Sequence, residues 1–178
     1  MNADWSILYW IQNNLKCSFL DFLVPKITLL GDIGFVWIVI AIIFLLTRKN
    51  RRLGILLSIG LIAGVVIGNL ILKQLICRPR PCWDNTAIEL LISNPKDYSF
   101  PSGHTLSSSI AAIITTAVKP KLGFFVIPLA LIIAFSRLYL FVHFPTDILG
   151  AMILGAAIAV SVILIDKKFR AKKDQTPT

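Results

Sequence analysis

The chain has two imidazoles, His104 and His143, and each stands among residues suited to holding an oxyanion. His104 ends the run Ser99-Phe100-Pro101-Ser102-Gly103-His104, directly before an apolar segment. Ser102 fits the N-cap of a helix there. The first amides of such a helix are unpaired, and a start of this kind attracts anions such as phosphate. Gly103 permits close approach and leaves His104 beside the bound group. His143 lies between Ser136-Arg137 and Pro145-Thr146-Asp147. Pro145 suits a first helical turn, from which Asp147 can reach back to orient the His143 ring and offset its charge. Lys73 and Arg80 are seven residues apart, so both point the same way if one helix persists through them, whereas Arg78 points elsewhere. Three cations, two histidines and an aspartate amount to a phosphate cradle with two groups able to attack or to move protons. Each has an ordinary reading when taken singly: a snorkelling Lys73 or Arg80, a turn and cap at Ser102, an interfacial Arg137.

The elements that must carry these residues are apolar. Hydrophobic residues make up 56% of the 178 and charged ones 15%, and the mean hydropathy is +0.79. Such a composition belongs to a membrane domain rather than a soluble one. Five apolar segments, residues 30–47, 53–76, 103–118, 122–141 and 146–166, lie near the roughly 20 residues that a spanning helix needs, and all five read as transmembrane. The expected fold is all-α, a polytopic transmembrane bundle of five to six spans in a single domain over 1–178. Residues 1–29 read as an interfacial helical segment with Trp5, Leu8 and Ile11 on its apolar face. Its second piece, from Ser18 onward, counts as a sixth span only if Asp21, Pro25 and Lys26 are tolerated in the membrane. Nothing near Met1 resembles a removable signal peptide.

The formal charge of +9 does not call for nucleic acid, because its distribution fits a membrane protein. Basic residues cluster at 48–52, at 119–121 and at 167–173, which are alternate helix ends. The positive-inside rule makes those ends cytoplasmic, with 167–178 a cytoplasmic tail. It puts the N-terminus, the loop over 77–102 and the turn at 142–146 on the opposite face, where all three chemical groups then meet. Gly60, Gly64 and Gly68 line one helix face for close packing, more simply within the chain than between copies. Cys17, Cys77 and Cys82 match neither a zinc spacing nor a dense disulfide framework, and they read as free thiols unless Cys77 and Cys82 bridge.

These residues resemble the three-part signature of the type 2 phosphatidic acid phosphatase superfamily, which also holds vanadium haloperoxidases and bacterial acid phosphatases. Lys73, six residues and Arg80-Pro81 correspond to the first part, and Pro101-Ser102-Gly103-His104 to the second. Ser136-Arg137, five residues, His143, three residues and Asp147 make the third. The resemblance implies a phosphohistidine mechanism. In it, His143 attacks phosphorus, Asp147 orients and stabilises the ring, and His104 protonates the leaving oxygen and then activates water. Lys73, Arg80, Ser102, Gly103 and Arg137 hold the phosphate oxygens, with no metal or other cofactor. It further implies hydrolysis of a lipid phosphate or diphosphate at the outer face of the cytoplasmic membrane. Undecaprenyl diphosphate comes first, and phosphatidylglycerophosphate, phosphatidate and lipid A phosphates are the alternatives. A lipid phosphotransferase would use the same residues. A haloperoxidase fits poorly with five spans, and a transporter or channel leaves both histidines and Asp147 without a task.

Overall fold

The structure is a computed structural model and describes residues 3–174. Among them the chain is mostly helical, with no strand. Two short helices lead, α1 (Ala3–Asn14) and α2 (Ser18–Leu29). A break at Ile33 and Gly34, with φ of 55° and 74°, turns the chain by 44° into α3 (Phe35–Leu46). Next, α4 (Arg51–Gly64) runs straight into a π-helical stretch, Val65–Leu72, and on into α5 (Lys73–Ile76). After α6 (Pro81–Asp84) and an irregular loop come α7 (Gly103–Val118), α8 (Pro120–Tyr139) and α9 (Pro145–Asp174).

All five apolar segments are helices, but they are not equal in reach. The helix beginning at Arg48, α8 and α9 are long and apolar enough to cross a membrane, and α2 with α3 makes a fourth crossing if the bent pair is one span. A count of five to six treats every apolar run as a full crossing, whereas α7 has 16 residues and spans about 24 Å. Its place explains its composition. It runs through the middle of the bundle against α4, α8 and α9, so its face can be small and weakly polar (Ser107-Ser108-Ser109, Ala111-Ala112) instead of uniformly lipophilic. Trp37 of α3 donates to Ser108 Oγ at 2.9 Å. Around it, α3, α4, α8 and α9 turn large apolar side chains outward, as with Leu46, Phe124 and Ile153. The tail expected from 167 is helical as far as Asp174, and the rest of it lies outside the described residues.

The glycine face of α4 and the π-helical stretch lies against α7. A Cβ on Gly64 would meet Ile110 Cδ1 at 2.7 Å, and one on Gly68 would collide with Leu106 Cδ2. Gly54 faces backbone instead: its Cβ would come 2.5 Å from the Leu45 nitrogen and 2.9 Å from the Ala41 carbonyl. A methyl tip can rotate away and a helix backbone cannot. Gly54→Ala is therefore expected to lower the detergent-solubilised melting temperature more than Gly64→Ala, with an overpacking cost of about 1–3 kcal/mol. Equal melting temperatures for the two variants would contradict this packing.

Candidate active site

The three chemical groups are gathered at one end of the bundle by backbone contacts between them. Ser99 N–H donates to the Arg78 carbonyl at 2.8 Å and Ser102 N–H to the Asp147 carbonyl at 3.4 Å. The turn carrying His143 is fixed by Val142 N–H on the Arg137 carbonyl at 3.2 Å. Phe141, with φ of 58°, redirects the chain there. Below this turn, Leu8 and Ile11 of α1 and Val24 of α2 pack with Tyr139, Phe141, Val142 and Phe144. The N-terminal helices are thus a floor for the site: Gln12 donates to the Tyr139 carbonyl at 2.8 Å and Tyr139 Oη to Asp21 at 2.7 Å.

Lys73 and Arg80 converge, though not along one helix. Cys77 adopts φ of 47° and ends α5, and Pro79 and Pro81 keep the following residues extended. The convergence comes from Asp97, in the loop before α7. Its carboxylate accepts from Lys73 Nζ at 2.6 Å and from Arg80 Nη2 at 2.8 Å, and its carbonyl accepts from Arg80 Nε at 2.6 Å. Burial alone would raise this carboxyl. The hydrogen bond from Lys73 and the charges of Arg80 and Lys73 prevail, and hold it at about 2. The remaining Arg80 nitrogen, Nη1, donates to the Val142 carbonyl at 2.7 Å and stands 3.0 Å from His143 Nε2.

His143 and Asp147 are both buried. Their nearest atoms, Nδ1 and Oδ2, are 3.7 Å apart, and Ser99 Oγ stands between them, 2.5 Å from Oδ2 and 3.4 Å from Nδ1. Burial holds the His143 imidazole well below its ordinary value, and Arg80, Arg137 and Lys73 act in the same direction. Ser102 caps α7, its Oγ accepting from Thr105 N–H at 3.5 Å. His104 Nε2 lies 2.9 Å from Asp32 Oδ1, at the break between α2 and α3. Arg137 donates through Nη1 to Thr28 Oγ1 at 2.7 Å, and its buried Nε has no protein partner.

Lys73, Arg80, Gly103, His104, Arg137 and His143 all line one cavity of about 1160 Å³. Ser102 and Asp147 stand behind its wall. The cavity continues past the charged end between apolar side chains, among them Ile38 and Ile42 of α3 and Leu61, Ile62 and Val65 on the α4 side. Among the described residues no group of three or more His, Cys, Asp or Glu side chains is placed to hold a metal ion.

Residues 52–171 match the model of the PAP2 superfamily. The chain belongs to that superfamily, and it is a multi-pass membrane protein with a phosphatase fold. It is 31% identical over 140 residues to an undecaprenyl-diphosphatase of Sulfolobus acidocaldarius, covering 78% of this chain and 68% of that one. Among solved structures it superposes on LpxE of Aquifex aeolicus with a TM-score of 0.80 at 24% identity, over 92% of this chain and 96% of the other. A PAP2-type phosphatidylglycerolphosphate phosphatase from Bacillus subtilis gives a TM-score of 0.72 at 27% identity, over 94% and 88%.

Four residues at the site escape a reading by motif: Asp97, Ser99, Asp32 and Arg78. Arg78 does not point away. It reaches Asp147 Oδ1 at 2.6 Å through Nη1. The Asp97 carboxyl is lower in the folded protein than its ordinary 3.8, so the stability it adds is complete above about pH 4 and is lost as pH falls towards 2. The stability gap between wild type and Asp97→Asn, read from thermal melts in detergent, should be constant from pH 5 to 8 and shrink below pH 4. A gap that widens with acid would contradict the ion pairs.

Proposed function

We propose that this protein hydrolyses a phosphate monoester or diphosphate carried on a lipid, through a phosphohistidine formed at His143. The carrying observation is the cavity itself, cationic and histidine-bearing at one end and apolar along the rest. That is the shape of a phosphate joined to a hydrocarbon anchor.

In this reading His143 Nε2 attacks phosphorus and the bond from phosphorus to the leaving lipid oxygen breaks. His104 gives that oxygen its proton, and the lipid product departs. Water, deprotonated by His104, then attacks the phosphohistidine; phosphate leaves and His143 is restored. Positive charge develops on the imidazole in the first step, and Asp147, through Ser99, is placed to offset it. Lys73, Arg80 and Arg137 neutralise the equatorial oxygens, joined by Ser102 and the Gly103 amide at the start of α7. The grip of Lys73 and Arg80 on the two oxygens of Asp97 supports the assignment, because a phosphate offers oxygens in a similar array. These cations supply the charge stabilisation that a metal ion supplies elsewhere.

Undecaprenyl diphosphate is the first substrate to consider, on the strength of the Sulfolobus relative, named for that activity. Phosphatidylglycerophosphate is the second, on the strength of the Bacillus structure. The site faces away from the cytoplasm in this reading, since Arg51, Arg52, Lys119, Lys121 and Lys167 all lie at the other helix ends.

Purified protein should release phosphate from undecaprenyl diphosphate or phosphatidylglycerophosphate in the presence of chelator, and His143→Ala should reduce kcat at least about a thousandfold. Full activity of the variant would remove His143 from the mechanism, and strict magnesium dependence would remove the metal-free reading. Orientation can be read separately. Cys17 and Cys77 are exposed near the site, so an impermeant maleimide should label them in intact cells, and labelling only after lysis would reverse the proposed topology.

A further inference from the structure

The mechanism asks two opposed things of Asp147. It must be negative to stabilise the phosphorylated His143, yet before attack it must not hold a second proton on that ring, because an imidazolium has no lone pair to offer phosphorus. A fully buried carboxylate beside a buried imidazole has an inexpensive way to lose its isolated charge, which is to make the imidazole cationic. Something else has to answer that charge.

Arg78 answers it. Its Nη1 donates to Asp147 Oδ1 at 2.6 Å and also lies 2.7 Å from Thr146 Oγ1. The other carboxylate oxygen, Oδ2, accepts from Ser99 Oγ at 2.5 Å and from Phe144 N–H at 2.8 Å. Asp147 therefore has an ion pair with Arg78 and none at hydrogen-bond distance with His143. Arg78 is itself fixed from two sides. Its guanidinium carbon lies 4.2 Å from the centre of the Phe144 ring, and Nη2 donates to Asp4 Oδ2 at 2.7 Å. Asp4, buried on α1, also caps α9. Its Oδ1 accepts from Thr146 N–H at 3.0 Å, and its Oδ2 from Thr146 Oγ1 at 2.6 Å. A salt bridge to a buried carboxylate needs the carboxylate's remaining lone pairs filled to be favourable, and both Asp147 oxygens accept hydrogen bonds. Asp4 also lies outside residues 52–171, where the superfamily match falls.

We propose that Arg78, held by Asp4 of the N-terminal helix, is a positioning residue that supplies the countercharge of Asp147 and so keeps His143 an uncharged base until it attacks. The proposal rests on His143 being the nucleophile. The other charged groups around the ring cannot replace Arg78. Arg80 faces Nε2 at 3.0 Å but is already paired with Asp97, as is Lys73. Arg137 and His104 act on His143 only through space. Asp97 and Asp32 sit on Arg80 and His104 respectively, away from Nδ1.

Because the chain has two histidines, the protonation of His143 can be followed directly. Protein labelled at the histidine Cε1 with carbon-13, in detergent micelles, gives two imidazole signals, and His104→Asn assigns them. In Arg78→Gln the His143 midpoint should move up by about one pH unit or more, a tenfold change in its protonation equilibrium. Arg78→Lys should restore part of it, and Asp4→Asn should move it up by less. Arg52→Gln, which breaks the ion pair with Asp166 at the far end of the bundle, should leave it in place. The acid limb of kcat/KM should move with the midpoint, so that Arg78→Gln is hurt more at pH 6 than at pH 8. A folded Arg78→Gln whose His143 midpoint is unchanged overturns the proposal. If that variant does not fold, an unchanged midpoint in Asp4→Asn overturns it. A midpoint that moves while the acid limb stays would uphold the countercharge and instead remove His143 from the role of nucleophile, which the His143→Ala assay tests by itself.

Discussion

Charge inside a low-dielectric bundle is costly without a partner, and most of the arrangement at the charged end of the cavity follows from that constraint, Arg137 with its unpartnered Nε being the exception. Arg80 is the centre of it. Its three nitrogens divide among the Asp97 side chain and carbonyl, the Val142 carbonyl and His143. One buried guanidinium therefore ties the loop before α7 to the turn before α9. Lys73 shares the same carboxylate, Arg78 answers Asp147, and Asp32 sits on His104. Carboxylates supplied by loops and helix ends balance the cations to which the proposed mechanism assigns the phosphate.

The fold was legible in sequence because its cause is local. Runs of apolar residues near twenty long become helices in a membrane, and the signature residues sit where helices begin and end. What stayed hidden depends on tertiary contacts. Asp97 is 24 residues from Lys73 and Arg78 is 69 from Asp147, and no periodicity announces such pairs. Lys73 and Arg80 were expected to share a helix face. They meet because an anion draws them together across a break at Cys77, where the neighbouring prolines prevent the helix from continuing. The place of α7 was hidden for another reason: its bounds, 103–118, are those read from the sequence, but hydropathy reports whether a segment avoids water, and cannot distinguish lipid from the interior of a bundle.

The N-terminal helices illustrate the same division. An apolar face with Leu8 and Ile11 suggests a helix lying on the membrane, and the composition of α1 suits that. The structure turns this face towards Phe141, Val142 and Phe144, so that the segment supports the turn carrying His143. Ser99, lying between Asp147 and His143, likewise stands just before the second motif in sequence and joins the third by contact.

Asp97 has a further consequence. In the proposed reaction the pair of cations that takes the phosphate already holds an anion, because the chain brings its own carboxylate to them, on a loop half open to solvent. Any ligand there takes part in an exchange, so its apparent affinity reports the difference between two anions rather than the full strength of either. Such a difference is small even when both parts are large. A site that grips a highly charged group can in this way still release it, since the returning carboxylate competes for the same two cations as inorganic phosphate departs.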